Sequence, residues 1–130
     1  MAFVIPTTMP LAHGPDRRLR SRDDFTAVRE LGRRVQTRHL TVLALPNTLG
    51  RDRLGIIASR RLGGAVLRNR AKRRVRELFR LRVDRAELAP GGRSLDVVVI
   101  PRREVAVAPF ADLAVEFASA LGRLRATRAS

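Results

Sequence analysis

The residues in this chain best suited to bind something are Arg68, Asn69, Arg70, Lys72, Arg73 and Arg76, within the stretch Gly63 to Arg82, GGAVLRNRAKRRVRELFRLR. Eight of those twenty residues are Arg or Lys, and Val66, Ala71, Val75, Leu78 and Phe79 recur among them at helical spacing. At about 100° per residue, Ala71, Leu78 and Phe79 fall within about 60° of Val75 and form a stripe for a core. Asn69, Arg70, Arg73, Arg76, Glu77 and Arg80 fall between about 100° and 220° and share the opposite face. Arg68 and Lys72 sit at the stripe's edge, where their aliphatic stems lie along the core and their charges reach outward. A solvated helix face mixes acids with bases at i,i+4, whereas this one has a single acid, Glu77, among eight bases. Repulsion of that density calls for an external polyanion.

Other chemistries find little support. The chain has no cysteine, which excludes disulfides, a zinc finger and a thiol nucleophile. Its two histidines are His13, in a Pro-containing leading segment, and His39, at a strand start; neither has the neighbours of a Ser/His/Asp arrangement, and both read as structural or solvated. The adjacent carboxylates Asp23 and Asp24 are explained by a helix cap, and the remaining acids are scattered, which disfavours a metal-hydrolase centre. The Gly63-Gly64 turn is not a phosphate-cradling loop, because GxxxxGK[ST] is absent. The residues support binding, and no protein-borne active site is expected.

At 130 residues the chain is long enough for one domain with one core, and its 45% apolar share is that of a globular protein. Net charge is +15, and Lys72 is the one lysine among 27 bases. The guanidinium fork binds phosphate oxygens bidentately and stacks on bases, so this balance points first to nucleic acid and second to an anionic membrane surface. The preference for Arg over Lys also follows from the nucleotide composition of a gene, so the count of charges is the stronger observation. No apolar run reaches the roughly 20 residues that span a bilayer. The opening MAFVIPTTMPLA has no basic segment and is broken by Pro6 and Pro10, a poor signal peptide. A cytoplasmic protein is expected.

Residues 1–16 have no clear period and are expected to be a flexible extension, with Met9 a candidate alternative start. Ser21 offers a helix N-cap, with Asp23 and Asp24 in the first turn; Phe25, Val28 and Leu31 follow, and Gly32 supplies a stop. Taken alone, Phe25 reads as a core residue ahead of a base-stacking platform. RHLTVLAL (38–45) and RLGIIAS (53–59) predict two strands, expected to pair as an antiparallel hairpin across residues 46–52. Arg33 to Gln36 is a candidate further strand. After the basic helix, Pro90-Gly91-Gly92 breaks the chain, and LDVVVI (95–100) predicts a central strand buried on both faces. Phe110, Leu113, Phe117, Leu121 and Leu124 predict a closing amphipathic helix from Pro109 to about Arg125. The fold class is α/β (α+β), in the order α-β-β-(β)-α-β-α, with a domain over residues 17–125 and a tail over 126–130. A DNA-reading helix-turn-helix places its recognition helix after a short helix and a tight turn, whereas this basic helix follows a strand. Irregular or single-stranded RNA fits better.

Ser59 to Glu77 closely resembles the signature of the bacterial ribonuclease P protein subunit, roughly S-[KR]-[KR]-x-G-x-A-V-x-R-N-R-x-K-R-x-x-R-E. The resemblance extends from about Arg18 to Leu124 and includes Asp24-Phe25 and Arg53-Leu54-Gly55. It implies a single-domain two-layer sandwich with a left-handed βαβ crossover through the Arg-Asn-Arg helix. It also implies that the catalyst is a partner RNA, which with Mg²⁺ bound mainly by that RNA removes the 5′ leader of precursor tRNA. Arg68, Asn69, Arg70, Lys72, Arg73 and Arg76 match the family's RNA-contacting motif, with Asn69 near a metal-adjacent position. Phe25 matches the aromatic of a leader-binding cleft, and Arg60 and Arg61 match basic positions beside it. Arg29 and Leu40 stand where the family often has aromatics, and Gly64 where Asn is frequent; a cation contact from Arg29 then substitutes for stacking. The partners implied are the catalytic ribonuclease P RNA and precursor tRNA, with no membrane and no obligate protein partner. The alternatives are a structural RNA-binding protein of the ribosome and, more weakly, a membrane-surface protein.

Overall fold

The first helix, α1 (Arg22–Leu31), begins where the sequence places its cap: the Ser21 hydroxyl accepts the Asp24 N–H at 3.0 Å, and Asp23 and Asp24 face the helix's positive end. The computed structural model describes residues 18–86 and 94–126. The expectations for residues 1–16, for the Pro90-Gly92 break and for the last four residues of the tail lie outside them. After α1 come β1 (Arg33–Gln36), β2 (Leu40–Pro46), β3 (Arg53–Ile56), α2 (Ala65–Ala86), β4 (Leu95–Pro101) and α3 (Phe110–Ala126). Short 3-10 turns at Arg60–Leu62 and Arg103–Ala106 precede α2 and α3. The candidate strand at Arg33 is thus β1, and the order is α-β-β-β-α-β-α.

Gly32 does end α1, but not by a left-handed cap. Its φ of −78° suits any residue; the constraint is space, since a Cβ there would lie 2.5 Å from the Val28 carbonyl oxygen and 2.7 Å from that of Ala44.

The sheet runs β1-β2-β4-β3, which corrects one expectation: β2 and β3 do not form a hairpin. β4 lies between them, antiparallel to β2 and parallel to β3. The physical reason is in LDVVVI. Val97, Val98 and Val99 are fully buried, so this strand needs cover on both faces and a neighbour on both edges. Alternate residues sort the core. Leu40, Val42, Ala44, Leu54, Leu95, Val97 and Val99 pack with Ala71, Val75, Leu78 and Phe79 of α2 and Leu113, Phe117 and Leu121 of α3. On the other face Leu43 and Val98 pack with Val28 of α1 and Leu19. The two-layer description holds for the main core, and α1 closes a smaller cluster behind the sheet. Val66, grouped with the apolar stripe in the sequence, is 75% exposed. Nine residues from Val75 it lies about half a turn away, on the basic face.

Polar pins fix the ends. Arg53 binds Asp96 bidentately, both bonds at 2.8 Å, where β3 and β4 stand side by side, and also reaches Asp24 of α1 at 3.6 Å. The hydrogen bond to Asp96 is the main cause that raises the Arg53 pKa. Buried His39, read from sequence as structural or solvated, is structural: its Nδ1 lies 2.5 Å from Glu116 of α3. Glu116 also accepts the His39 N–H at 2.9 Å and the Thr37 hydroxyl at 2.8 Å.

Burial alone would raise the Glu116 pKa, but the bonds from the His39 ring, the His39 N–H and Thr37 together hold it below the usual carboxylate range. A depressed folded-state pKa contributes stability that is fully present above the unfolded value, about 4.3 for Glu, and is lost as pH falls through the folded value. Glu116→Gln should therefore lower stability at pH 7 and flatten its fall on acidification, as read from urea melts between pH 7 and pH 3. An acid limb parallel to that of the parent chain would remove Glu116 as its source.

Candidate nucleic-acid interface

The path into α2 is set by two small devices. Ser59 Oγ accepts the Arg61 N–H at 3.2 Å and caps the Arg60–Leu62 turn, with Leu62 buried. Gly63 then adopts φ +117°, a region that disfavours side chains, and its N–H donates to the Arg60 carbonyl at 3.0 Å. Gly64 meets no such demand, as a Cβ there would enter open space. The first turn of α2 contains no acid.

Along α2 the basic residues divide into three kinds. Asn69, Arg70 and Arg73 are exposed, and Arg68 and Lys72 are half-buried along the flank, as the helical angles predict; Arg76, expected on the opposite face, is half-buried too. Arg74 is structural: its Nη1 donates to the Val105 and Ala108 carbonyls at 2.7 Å each, and its guanidinium lies 5.8 Å from the Phe110 ring. Arg80 is paired with Glu77 one turn earlier. Among the described residues, Arg68, Arg70, Lys72, Arg73 and Arg76 have no carboxylate partner, so the face open to an anion runs from Arg68 to Arg76. Burial lowers the Arg76 pKa, and the nearby charges of Arg18 and Arg73 lower it further. Even so, arginine remains charged at any working pH.

The second candidate region lies on the opposite face of the sheet, beside α1. Phe25 is half-buried, and its ring rests on Gly55 of β3: a Cβ on Gly55 would sit 2.6 Å from Phe25 Cε1 and Cζ. Leu19 packs at the same place. The ring is therefore both a core contact and a partly open surface, bordered by half-buried Leu45, Ile57 and Ile100. One turn along α1, Arg29 lines a groove of about 340 Å³ with Thr26, Glu30 and Arg34 of β1. Arg60 and Arg61 are exposed on the turn beyond β3, the strand whose Gly55 floors Phe25. Leu40 is fully buried in the main core, on the far side of the sheet from Phe25. Its replacement of an aromatic therefore leaves the Phe25 side unchanged.

Sequence reasoning missed Arg18, Arg34 and Gly55. The signal for Arg18 was the alternation Arg18-Leu19-Arg20, which is that of a short extended segment; the other two depend on what β1 and β3 face across α1. Among the described residues no three of His, Asp and Glu converge as a group that could hold a metal ion. No described helix is long and apolar enough to cross a membrane.

A family model described as Ribonuclease P matches residues 14–125. The Ribonuclease P protein component of Syntrophobacter fumaroxidans is 44% identical over 88 residues, 68% of this chain and 71% of the relative. That of Acidothermus cellulolyticus is 38% identical over 115 residues, 87% of this chain and 92% of the relative. The solved RNase P protein from Thermotoga maritima superposes with a TM-score of 0.67 at 32% identity, covering 85% of this chain and 97% of that one.

The packing of Phe25 on Gly55 is directly testable. Gly55→Ala should destabilise the chain by about 1–3 kcal/mol in urea melts, because the added methyl must displace the ring. In a Phe25→Ala background the same substitution should cost much less; an equal penalty in both backgrounds would mean that the ring does not set it.

Proposed function

The chain belongs to the ribonuclease P protein family, and on that premise we propose that α2 docks the catalytic RNA while the cleft beside α1 holds the 5′ leader of precursor tRNA. Partnership with ribonuclease P RNA follows from the family, which sets aside the ribosomal alternative. The observation that carries the assignment of faces is the run of cations from Arg68 to Arg76 without carboxylate partners among the described residues.

Catalysis belongs to the RNA, with Mg²⁺ bound mainly by it; the ion supplies charge neutralisation and activation of water at the scissile phosphate. The chain's own part is electrostatic and positional. Arg68, Asn69, Arg70, Lys72, Arg73 and Arg76 bind phosphates of the catalytic RNA, releasing counterions and fixing orientation. Phe25 offers a ring to an unpaired leader base, supported by the Gly55 backbone, and Arg29, Arg60 and Arg61 hold leader phosphates. A strand held in this way adds two polyanions to one basic scaffold. That lowers their mutual repulsion and hence the Mg²⁺ concentration needed for cleavage.

Reconstitution tests the division of labour. The chain alone should leave precursor tRNA intact, and with the catalytic RNA it should shift the Mg²⁺ dependence of cleavage to lower concentration; cleavage by RNA-free protein would overturn the reading. Phe25→Ala in the reconstituted enzyme should weaken binding of leader-bearing precursor by about 1–3 kcal/mol and leave leaderless tRNA unaffected. Equal losses on both substrates would remove Phe25 from the leader site.

A further inference from the structure

One basic residue outside both candidate regions is tied to α2 by the fold. Arg18 lies in the segment before α1, which is fixed to the outer edge of the sheet: Arg18 forms a parallel bridge with Leu54 of β3, and the Leu19 N–H donates to the Leu54 carbonyl at 3.0 Å. Leu19 is buried in the cluster on the α1 face. Neighbours on an extended segment point to opposite faces, so Arg18 is directed to the other side, where α2 lies.

There it comes within electrostatic reach of Arg76, which has Arg73 one helical turn before it. Burial first, then the charges of Arg18 and Arg73, lower the Arg76 pKa, in keeping with the side of the sheet to which the Leu54 bridge directs Arg18. No carboxylate among the described residues partners any of the three. Four arginines elsewhere are held by the fold, with Asp96 on Arg53, Asp52 on Arg125 and backbone carbonyls on Arg74 and Arg102. Three like charges held together by an anchored backbone stand at a cost in the free chain, which an anion would remove.

We propose that Arg18, Arg73 and Arg76 form one site for adjacent phosphates of an RNA strand, so that the segment before α1 contributes a binding residue to the α2 interface. The inference rests on the reading of α2 as the RNA-docking face. Guanidinium forks suit the occupant, because each binds two phosphate oxygens at once. The site also extends the docking face from one helix to the sheet edge.

The test is binding of the full chain to the catalytic RNA over a salt series, with Arg18→Gln, Arg73→Gln, Arg76→Gln, the Arg18/Arg76 double variant and, as control, Arg103→Gln on the exposed turn before α3. Arg18→Gln should reduce the salt-dependence slope by about 0.7–0.9, like Arg73→Gln, with the control unchanged. The double variant should lose less than the sum of the single losses, because the two residues share phosphates. The free Arg18→Gln chain should melt no lower than the parent, since one repulsive charge is gone. A parental slope for Arg18→Gln beside a reduced slope for Arg73→Gln would overturn the three-arginine site and leave α2 docking intact. Parental slopes for all three would overturn both. A melting temperature well below the parent's would make Arg18 a structural residue and also overturn the site.

Discussion

The parallel pairing of β3 with β4 is the constraint from which the rest of the structure follows. Parallel neighbours cannot be joined by a tight turn, so the chain must leave the sheet and return across it, and the crossing element here is α2. The helix that carries the cations is thereby laid on the sheet with Ala71, Val75, Leu78 and Phe79 in the main core, and its opposite face is left to solvent. Arg53 and Asp96 hold the register of that pairing, and Asp24 brings α1 to the same point. A buried ion pair of this kind contributes less to net stability than its Coulomb attraction suggests. Its effect is to disfavour other registers, each of which would leave Asp96 buried and unpaired.

The abundance of arginine is resolved by what each one touches. Arg53, Arg74, Arg102 and Arg125 are fasteners, and each donates to a carboxylate or a carbonyl in a different part of the chain. Arg68, Arg70, Arg73 and Arg76 have no such partner among the described residues and are carried by one helix, Arg68 on its flank and the other three toward the face away from the core. Net charge alone does not separate these groups. The separation comes from the helical angle: Arg74 lies on the flank toward the turn before α3, while its neighbour Arg73 points away from the core. Bases at successive positions therefore do different work.

Much of this was legible in the chain itself. Periodicity gave α3 to within a residue at each end, and Ser21 marked the start of α1 because capping is a local matter of one hydroxyl and one N–H. The doubly buried character of β4 was plain from its unbroken valines. What could not be read was pairing. Nothing in residues 38–59 reveals that a strand forty residues later would intervene between β2 and β3. Gly32 does stop α1, but its requirement for glycine comes from the nearness of the Val28 and Ala44 carbonyls, the second a tertiary contact that no local pattern shows. Val66 was misplaced by counting apolar residues without following their angle to the end of the helix. At the candidate site, the α2 residues and Phe25 were found because their spacing is local. Arg18 and Arg34 were missed because their neighbours come from other elements.

On the proposed reading, two faces of one small sheet hold two different RNAs. It is tested most directly by photocrosslinking in the reconstituted complex, with a photoreactive group placed either at Asn69 on α2 or at Thr26 beside the α1 groove, and the crosslinked nucleotides identified. Crosslinks to the catalytic RNA are expected from position 69, and to leader nucleotides of precursor tRNA from position 26. Crosslinks from both positions to the same RNA, or an exchange of the two targets, would contradict it.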